Sequence, residues 1–316
     1  MDMFYSVMQS TLLFMIPLMI VALGGLFSEK SGIVNIALEG KMIMGAFTGI
    51  AFITTFQDRL PGQPILILGL LIATGTGILV SLLHAFASIT LKANQIISGV
   101  AINMFAPAFA VYVARFHFDT QHILFENQFR IASVPLFGRI PILGPMFFQG
   151  AHFTSLLGVV LLAVSAFVIY KTKFGLRLRA CGEHPQAADS VGVSVVGIRY
   201  AGVILSGALA GMGGLIWVVP ISTTFSGSVY GYGFLALAVL IFSGWRPVRI
   251  LYASFFFGLM QTISVNHGVI GFLPEIIPGN FYRMLPFIMT LVVLAFTSKD
   301  TMAPKAVGQP YDKGGR

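Results

Sequence analysis

Apolar runs about as long as a membrane-crossing helix recur along this chain, and they restrict its fold more than any other feature. A helix needs ~20 apolar residues to cross a hydrocarbon core of roughly 30 Å. A chain of 316 residues that is 56% hydrophobic and only 9% charged cannot present a water-soluble surface. We therefore predict an all-α polytopic membrane protein. Nine spans are expected, or eight to ten because the seventh is short and glycine-rich: 10–27, 36–56, 65–90, 95–114, 153–170, 200–219, 232–245, 250–266 and 283–298.

The strongest polar interruption is the basic segment 171–199. Lys and Arg accumulate in short cytoplasmic loops, so this segment is predicted to lie inside. That orientation places 14 of the 19 Lys and Arg residues on the inner side and makes 115–152 an external loop. Residues 1–298 then form one membrane domain, followed by a loosely held cytoplasmic tail, 299–316. The basic charge fits lipid headgroups and topology better than nucleic acid, which would require basic residues gathered on one folded face.

Several chemistries lack their sequence signatures. The chain has no phosphate-binding loop and no dinucleotide fingerprint, because GALAGMGG at 207–214 lies inside an apolar span and follows no strand. Its small residues predict a helix-packing face instead. The six histidines show no zinc-ligand spacing, and the sole cysteine, Cys181, lies in the inner loop. We therefore predict no catalytic residue, no metal site and no cofactor bound by this chain.

The inner loop carries a candidate docking helix. Pro185 suits the first position of a helix and Gly192 suits its end. Between them, Ala187, Ala188 and Val191 are three or four residues apart and are predicted to share a face small enough to enter a groove on another protein. The alternative is a solvated connector whose basic residues only fix the topology.

Polar residues inside spans suggest a solute pathway. An unpaired polar group is costly in lipid and usually faces the bundle interior or a cavity. The candidates fall in the spans and in a hydroxyl-rich segment beside an aromatic ring, which would suit a ribose and a flat base: Asn35, Glu39, Asn103, Gln261, and Ser222, Thr223, Thr224, Phe225 and Ser226. For each of them, the alternative role is a hydrogen bond that holds helices together.

The inner loop also resembles a known motif. The pattern QAAxxxG at 186–192 is similar to the EAA loop of ABC-importer permeases, with Gln186 in place of the usual glutamate. Further segments are similar to the shorter permease of bacterial nucleoside importers, within the branched-chain amino acid and ribose type group: 24–47, 174–193, 234–247, 256–261 and the tail MAPKAVGQPYDKG at 302–314.

This resemblance implies a type II importer-like fold in the bacterial inner membrane. It implies that Glu183, Gln186, Ala187, Ala188 and Gly192 couple the chain to a cytoplasmic ATPase, which would itself bind ATP and Mg²⁺. It also implies a second, longer permease and an extracytoplasmic binding lipoprotein. Related systems carry riboflavin or sugars, so these solutes remain alternatives to a nucleoside.

Two other classes of function compete with this interpretation. An ATP-independent carrier would need carboxylates deep in several spans and broken helices in paired halves, whereas Glu39 is the only acidic residue placed inside a span. A membrane enzyme would need an acid, base or metal cluster at one depth. The importer permease is therefore the predicted function.

Overall fold

The computed structural model describes residues 2–126, 129–134, 138, 140–141, 144–268, 279–297 and 303–313. Helices dominate this part of the chain. They are α1 (Asp2–Lys30), α2 (Leu38–Phe56), α3 (Gln63–Ala85), α4 (Gln95–Phe118), α5 (Phe153–Lys171), α6 (Lys173–Glu183), α7 (Pro185–Ser190), α8 (Val195–Ile221), α9 (Tyr232–Phe242), α10 (Pro247–Asn266) and α11 (Gly279–Thr297). Single turns of π-helix occupy Phe86–Thr90 and Gly144–Phe148.

Six helical segments in the described part are long and apolar enough to cross a membrane. They are Met3–Lys30, Gln63–Thr90, Gln95–Phe118, Phe153–Lys171, Val195–Ile221 and Pro247–Asn266. The protein is thus a mostly helical, multi-pass membrane protein, but the predicted count of nine spans is not confirmed. The predicted span 232–245 corresponds to α9, whose 11 residues are too few to cross a bilayer alone. The predicted spans 36–56 and 283–298 overlap α2 and α11.

Helix α8 forms the centre of the bundle, and its glycines determine how closely its neighbours approach. A side chain at Gly207 or Gly211 would collide with the backbone of α3 near Gly77, and one at Gly214 would collide with Met42 of α2. Close backbone contact is a main source of helix association in lipid. The predicted packing face at 207–214 is therefore confirmed. Burial reaches 78% in the apolar window of α8 and 83% in that of α1, but only 17% in α4, which lies at the periphery.

The connection between α1 and α2 returns into the bundle as buried, non-helical chain. Side chains from α3 and α4 satisfy its backbone. The Gln95 side-chain oxygen accepts the Val34 N–H at 2.7 Å, and the Asn103 amide donates to the Ile36 carbonyl at 2.9 Å. Asn103 lies eight residues into α4, or about 12 Å along the axis at 1.5 Å per residue. Residues 31–37 therefore extend alongside α4, and α2 begins well inside the bundle.

Two short β-ribbons, at the end of the bundle opposite to the loop 171–199, were not predicted. Strand β1 (Ile123–Leu124) pairs antiparallel with β4 (Thr224–Phe225), and β2 (Arg130–Ser133) pairs with β3 (Gln149–His152). They build the described part of the predicted external loop 115–152. Gln9 and Gln63 attach this loop to α1 and α3 by donating to the Pro145 and Phe129 carbonyls.

The tail is not loose over residues 303–313. The Ala306 N–H donates to the Gly182 carbonyl at 2.8 Å, and the Gly308 N–H donates to the Gly32 carbonyl at 3.2 Å. Arg199 donates from Nη1 to the Gln309 carbonyl at 3.0 Å. A polar composition predicted mobility, but these polar groups bond the bundle instead of water. Residues 298–302 and 314–316 lie outside the described part.

Two glycines of α3 provide a matched test of the close packing. A Cβ at Gly77 would overlap the backbone of Gly207, whereas a Cβ at Gly75 meets nothing within 4 Å. Gly77→Ala should lower stability by about 1–3 kcal/mol through overpacking. Gly75→Ala should be neutral or stabilising by up to ~1 kcal/mol, because alanine favours the helix. The apparent thermal midpoint in detergent checks both, and equal midpoints would contradict the packing described above.

Candidate functional site

The basic inner loop contains two helices rather than one. Helix α6 (Lys173–Glu183) was not predicted, although Phe174, Leu178 and Cys181 recur at spacings of four and three residues, the apolar pattern of an amphipathic helix. Leu178 and Cys181 are fully buried. The Thr172 side chain caps α6 by accepting the Gly175 N–H at 3.1 Å. This helix forms the platform that carries the predicted docking helix.

The docking helix itself, α7 (Pro185–Ser190), begins and ends as predicted. Pro185 occupies its first turn, where a missing N–H costs nothing. Gly192 follows the helix with φ of +82°, a left-handed conformation that favours glycine. The Gly192 N–H donates to Asp189 at 2.9 Å and the Val193 N–H to Ala188 at 3.1 Å. These two bonds form a Schellman motif, which ends the helix sharply.

The predicted docking face of α7 is wrong in one respect, because Ala188 points inward. It is only 4% exposed and packs in a small cluster with Cys181, Val195 and the ring of Tyr311. This burial also raises the pKa of the Cys181 thiol. Within 185–192 the exposed residues are Gln186, Ala187, Ser190, Val191 and Gly192, while Glu183 is half-buried on α6. The available surface therefore includes Gln186, Ala187 and Val191, the last 78% exposed.

Glu39 anchors the start of α9. Its two carboxylate oxygens accept the N–H groups of Gly231, at 2.9 Å, and Gly233, at 2.6 Å. Free N–H groups and the positive end of the helix dipole favour a carboxylate at this place. Glu39 is predicted to lie in the solute pathway. In this structure it holds the beginning of α2 to the beginning of α9, and both its oxygens are occupied.

Asn35 and Asn103 are likewise occupied by internal bonds. Asn35 donates to the Ser206 hydroxyl at 2.6 Å and accepts from the Lys41 ammonium at 2.8 Å. Lys41 is completely buried. Asn103 accepts the Gly40 N–H at 2.8 Å besides donating to Ile36. Asn35, Lys41 and Asn103 thus hold the segment that leads into α2. This matches the alternative role given above, a hydrogen bond that holds helices together.

The hydroxyl-rich segment 222–226 contains β4 and so belongs to the β1–β4 ribbon. Ser222 accepts the Thr224 N–H at 3.0 Å in a local turn, and Phe225 is buried opposite Ile123. Ser226 lies 3.2 Å from the Tyr230 hydroxyl, between the two side-chain oxygens. Thr223 is exposed. The structure thus brings these five residues together, but none of them lines the cavity described next, which Ile221 and Tyr230 reach from either end of the segment.

A cavity of about 390 Å³ lies where α1, α8, α9, α10 and α11 meet. Trp217 and Tyr232 form one side, with stacked rings whose centroids are 3.4 Å apart. Gln261, Ser264 and His267 supply polar groups from the end of α10. Gln261 is the one predicted pathway residue that lines this cavity. Sequence reasoning missed the aromatic pair, because its members come from different spans and show no spacing pattern.

Within the residues that the structure describes, no group of three or more His, Cys, Asp or Glu side chains is placed to hold a metal ion.

Residues 7–294 match the family described as the branched-chain amino acid transport system permease component. The chain belongs to this permease family. One relative of the permease is NupQ of Bacillus subtilis, a guanosine ABC transporter permease protein, 41% identical over 98% of this chain and 97% of its own. Another is NupC of Lactococcus lactis, a nucleoside ABC transporter permease protein, 39% identical over 97% and 96%.

A solved structure shares the fold of the permease. It is reported as an inward-facing conformation of a metal-chelate type ABC transporter and superimposes with a TM-score of 0.51, covering 91% of this chain and 85% of its own. At 16% identity, this likeness concerns the fold alone. The predicted family and the helical permease architecture are confirmed by these findings.

Glu39→Gln tests the anchoring of α9 in the permease. The substitution keeps the shape but puts an amide NH₂ against a backbone N–H and removes the charge. A hydrogen bond to a charged group contributes about 1.5–3 kcal/mol, so the apparent thermal midpoint should fall by several degrees. Glu183→Gln, on half-buried α6, is the control and should shift it little. Equal midpoints for the two variants would show that the contact does not stabilise α9.

Proposed function

We propose that this permease is the transmembrane subunit of an ABC importer for nucleosides. The observation that carries the proposal is the pair of relatives, NupQ and NupC, which are about 40% identical over nearly the full length and whose names specify guanosine and nucleosides. The matched regions cover 98% and 97% of this chain and therefore include its membrane segments. Riboflavin or a simple sugar is the alternative solute.

The proposed partners follow from this role. A cytoplasmic ABC ATPase would bind ATP and Mg²⁺ and perform the hydrolysis, so the permease itself would be neither an enzyme nor a cofactor-binding chain. A second permease would complete the translocation pathway as a heterodimer, and an extracytoplasmic binding lipoprotein would deliver the solute. The proposed orientation places the C-terminus and α7 in the cytoplasm of a bacterium, in accord with the basic residues around them.

Helix α7 is the proposed ATPase docking element. Its exposed residues include Gln186, Ala187 and Val191, which are small or flexible enough to enter a groove. In this assignment Ala188 and Gly192 act indirectly, since Ala188 fixes α7 on the platform and Gly192 ends the helix. Glu183 precedes α7 on the same surface.

The aromatic cavity is the proposed solute contact in this chain. Ligand sites are usually concave and mostly apolar, with a few polar groups that set orientation. Stacked rings suit a flat base, and amide and hydroxyl groups suit its edge and a ribose. The Tyr232 hydroxyl supports the proposal, because it is buried and has no hydrogen-bond partner among the described residues. Asn35, Glu39 and Asn103 would then act by holding α2 and α9 in place.

Uptake by the reconstituted importer tests the solute. Labelled guanosine or adenosine should enter in an ATP-dependent manner, and unlabelled nucleosides should compete better than ribose or riboflavin. Gln261→Ala should lower the rate about 2- to 10-fold, the loss expected for one hydrogen bond of 0.5–1.5 kcal/mol. Thr223→Ala is the control in the segment 222–226 and should stay within twofold. Stronger competition by riboflavin would favour the alternative solute. If Thr223→Ala lowered the uptake rate more than Gln261→Ala, the solute pathway would instead be assigned to residues 222–226.

Ala187→Arg tests docking. The exposed position should tolerate arginine in the free permease, but a misfit in a close-packed groove costs about 1–3 kcal/mol and a desolvated charge costs more. Co-purification with the ATPase should drop by tenfold or more while expression and thermal midpoint persist. Ala93→Arg, at an exposed alanine in the predicted inner turn between α3 and α4, is the matched control. Normal ATPase binding by Ala187→Arg would show that α7 is not part of the docking interface. It would also contradict the proposed orientation of the permease.

A further inference from the structure

The tail segment 303–313, here called the strap, contacts several separate parts of the inner end of the bundle. At its start, the Ala306 N–H binds the Gly182 carbonyl on α6. Lys92, beyond the end of α3, forms an ion pair of 3.2 Å with Asp312 near the other end. A polar segment held at both ends in this way is a defined structural element and not a free terminus.

One arm of the strap holds the docking helix. The ring of Tyr311 packs on the cluster of Cys181, Ala188 and Val195, and so covers the buried side of α7. The guanidinium of Arg199, at the start of α8, lies 5.9 Å from the centre of the same ring. Arg199 is only 1% exposed, and its distance from the ring is near the outer limit of a cation–π contact.

The other arm holds the segment that leads to α2. The Gly308 N–H donates to the Gly32 carbonyl at 3.2 Å. The Arg199 side chain donates to the carbonyl of the next strap residue, Gln309, at 3.0 Å. A Cβ on Gly32 would lie 2.8 Å from the Arg199 side chain, so the three residues are in close contact. Gly32 is seven residues before Glu39, and it lies within the largely buried segment 31–37, which leads into α2.

We propose that the strap is a transmission element that joins α7 to segment 31–37. A displacement of α7 would reach Gly32 through Tyr311 and Gly308, and then the joined starts of α2 and α9 through Glu39. The proposal rests on α7 as the docking helix. It adds Tyr311, Arg199 and Gly308 as positioning residues, which touch neither the solute nor ATP.

The test breaks each arm separately. Tyr311→Ala removes the ring from α7, while Tyr311→Phe retains the ring and removes only the hydroxyl, which hydrogen-bonds Asp189 of α7, so the pair separates the ring from the hydroxyl. Gly308→Pro removes the N–H that reaches Gly32 and cannot adopt the observed φ of +80°. Lys313→Ala, at an exposed strap residue, is the control. Each variant is assembled with the ATPase, the second permease and the binding lipoprotein in proteoliposomes, where ATP hydrolysis and solute uptake are measured together.

Both arm variants should keep ATPase co-purification and hydrolysis within about twofold while solute uptake falls about tenfold, in the range of typical coupling energies. Tyr311→Phe and Lys313→Ala should retain the wild-type ratio of solute imported to ATP hydrolysed. Cys181, the sole cysteine and fully buried, reports on the first arm, since its labelling by a thiol reagent should accelerate in Tyr311→Ala.

Three outcomes would overturn the proposal. The first is a wild-type ratio in either arm variant, because a link must need both arms. The second is a joint loss of uptake and ATPase binding, which would make the strap part of the docking surface or of the fold. The third is unchanged Cys181 labelling in Tyr311→Ala, which would contradict the packing of the ring. The ratio of solute imported to ATP hydrolysed is measured for whichever solute the wild-type importer carries. A wrong nucleoside assignment would therefore show in the wild-type protein. A wrong assignment of the strap would show only in the variants.

Discussion

The carboxylate of Glu39 joins two places where the bundle departs from continuous helix. Segment 31–37 precedes α2, and the chain between β4 and α9 precedes α9. Non-helical backbone at membrane depth is tolerated only where protein or a wet cavity satisfies its polar groups. Glu39 meets this need for the first N–H groups of α9, while Asn35, Gln95 and Asn103 meet it around segment 31–37. The position of α9, and of the cavity wall that begins at Tyr232, depends on these bonds.

The glycine contacts of α8 provide the frame on which these bonds depend. Backbones that touch at Gly207, Gly211 and Gly214 leave little freedom to slide, because each neighbour fits a gap with no side chain. Polar groups on α2, α3 and α4 are thereby held within hydrogen-bonding distance of a segment that cannot satisfy itself. Close packing and buried hydrogen bonding are thus parts of one arrangement.

The features that the sequence predicted correctly are local ones. Pro185 and Gly192 mark the ends of α7 because their effects act within one turn, and the small residues at 207–214 mark a packing face within one helix. The cluster that buries Ala188 is covered in part by Tyr311, more than 120 residues away, and the role of Glu39 depends on Gly231, 192 residues away. The spacing of residues within one span carries no information about partners so distant in the sequence. Helix α6 is different, since its apolar spacing was visible but stood among basic residues that suggested a loop.

The shortness of α7 has a physical consequence for coupling. A helix of six residues forms too few internal hydrogen bonds to hold its own shape, so packing must hold it. That packing is supplied by α6 and α8, and the strap adds the ring of Tyr311 to the same cluster. The residues that face this cluster are consequently unavailable to a partner, and those that remain include Gln186, Ala187 and Val191. A force applied to these three side chains acts on α6, α8 and the strap together, because α7 has no independent stability with which to absorb it.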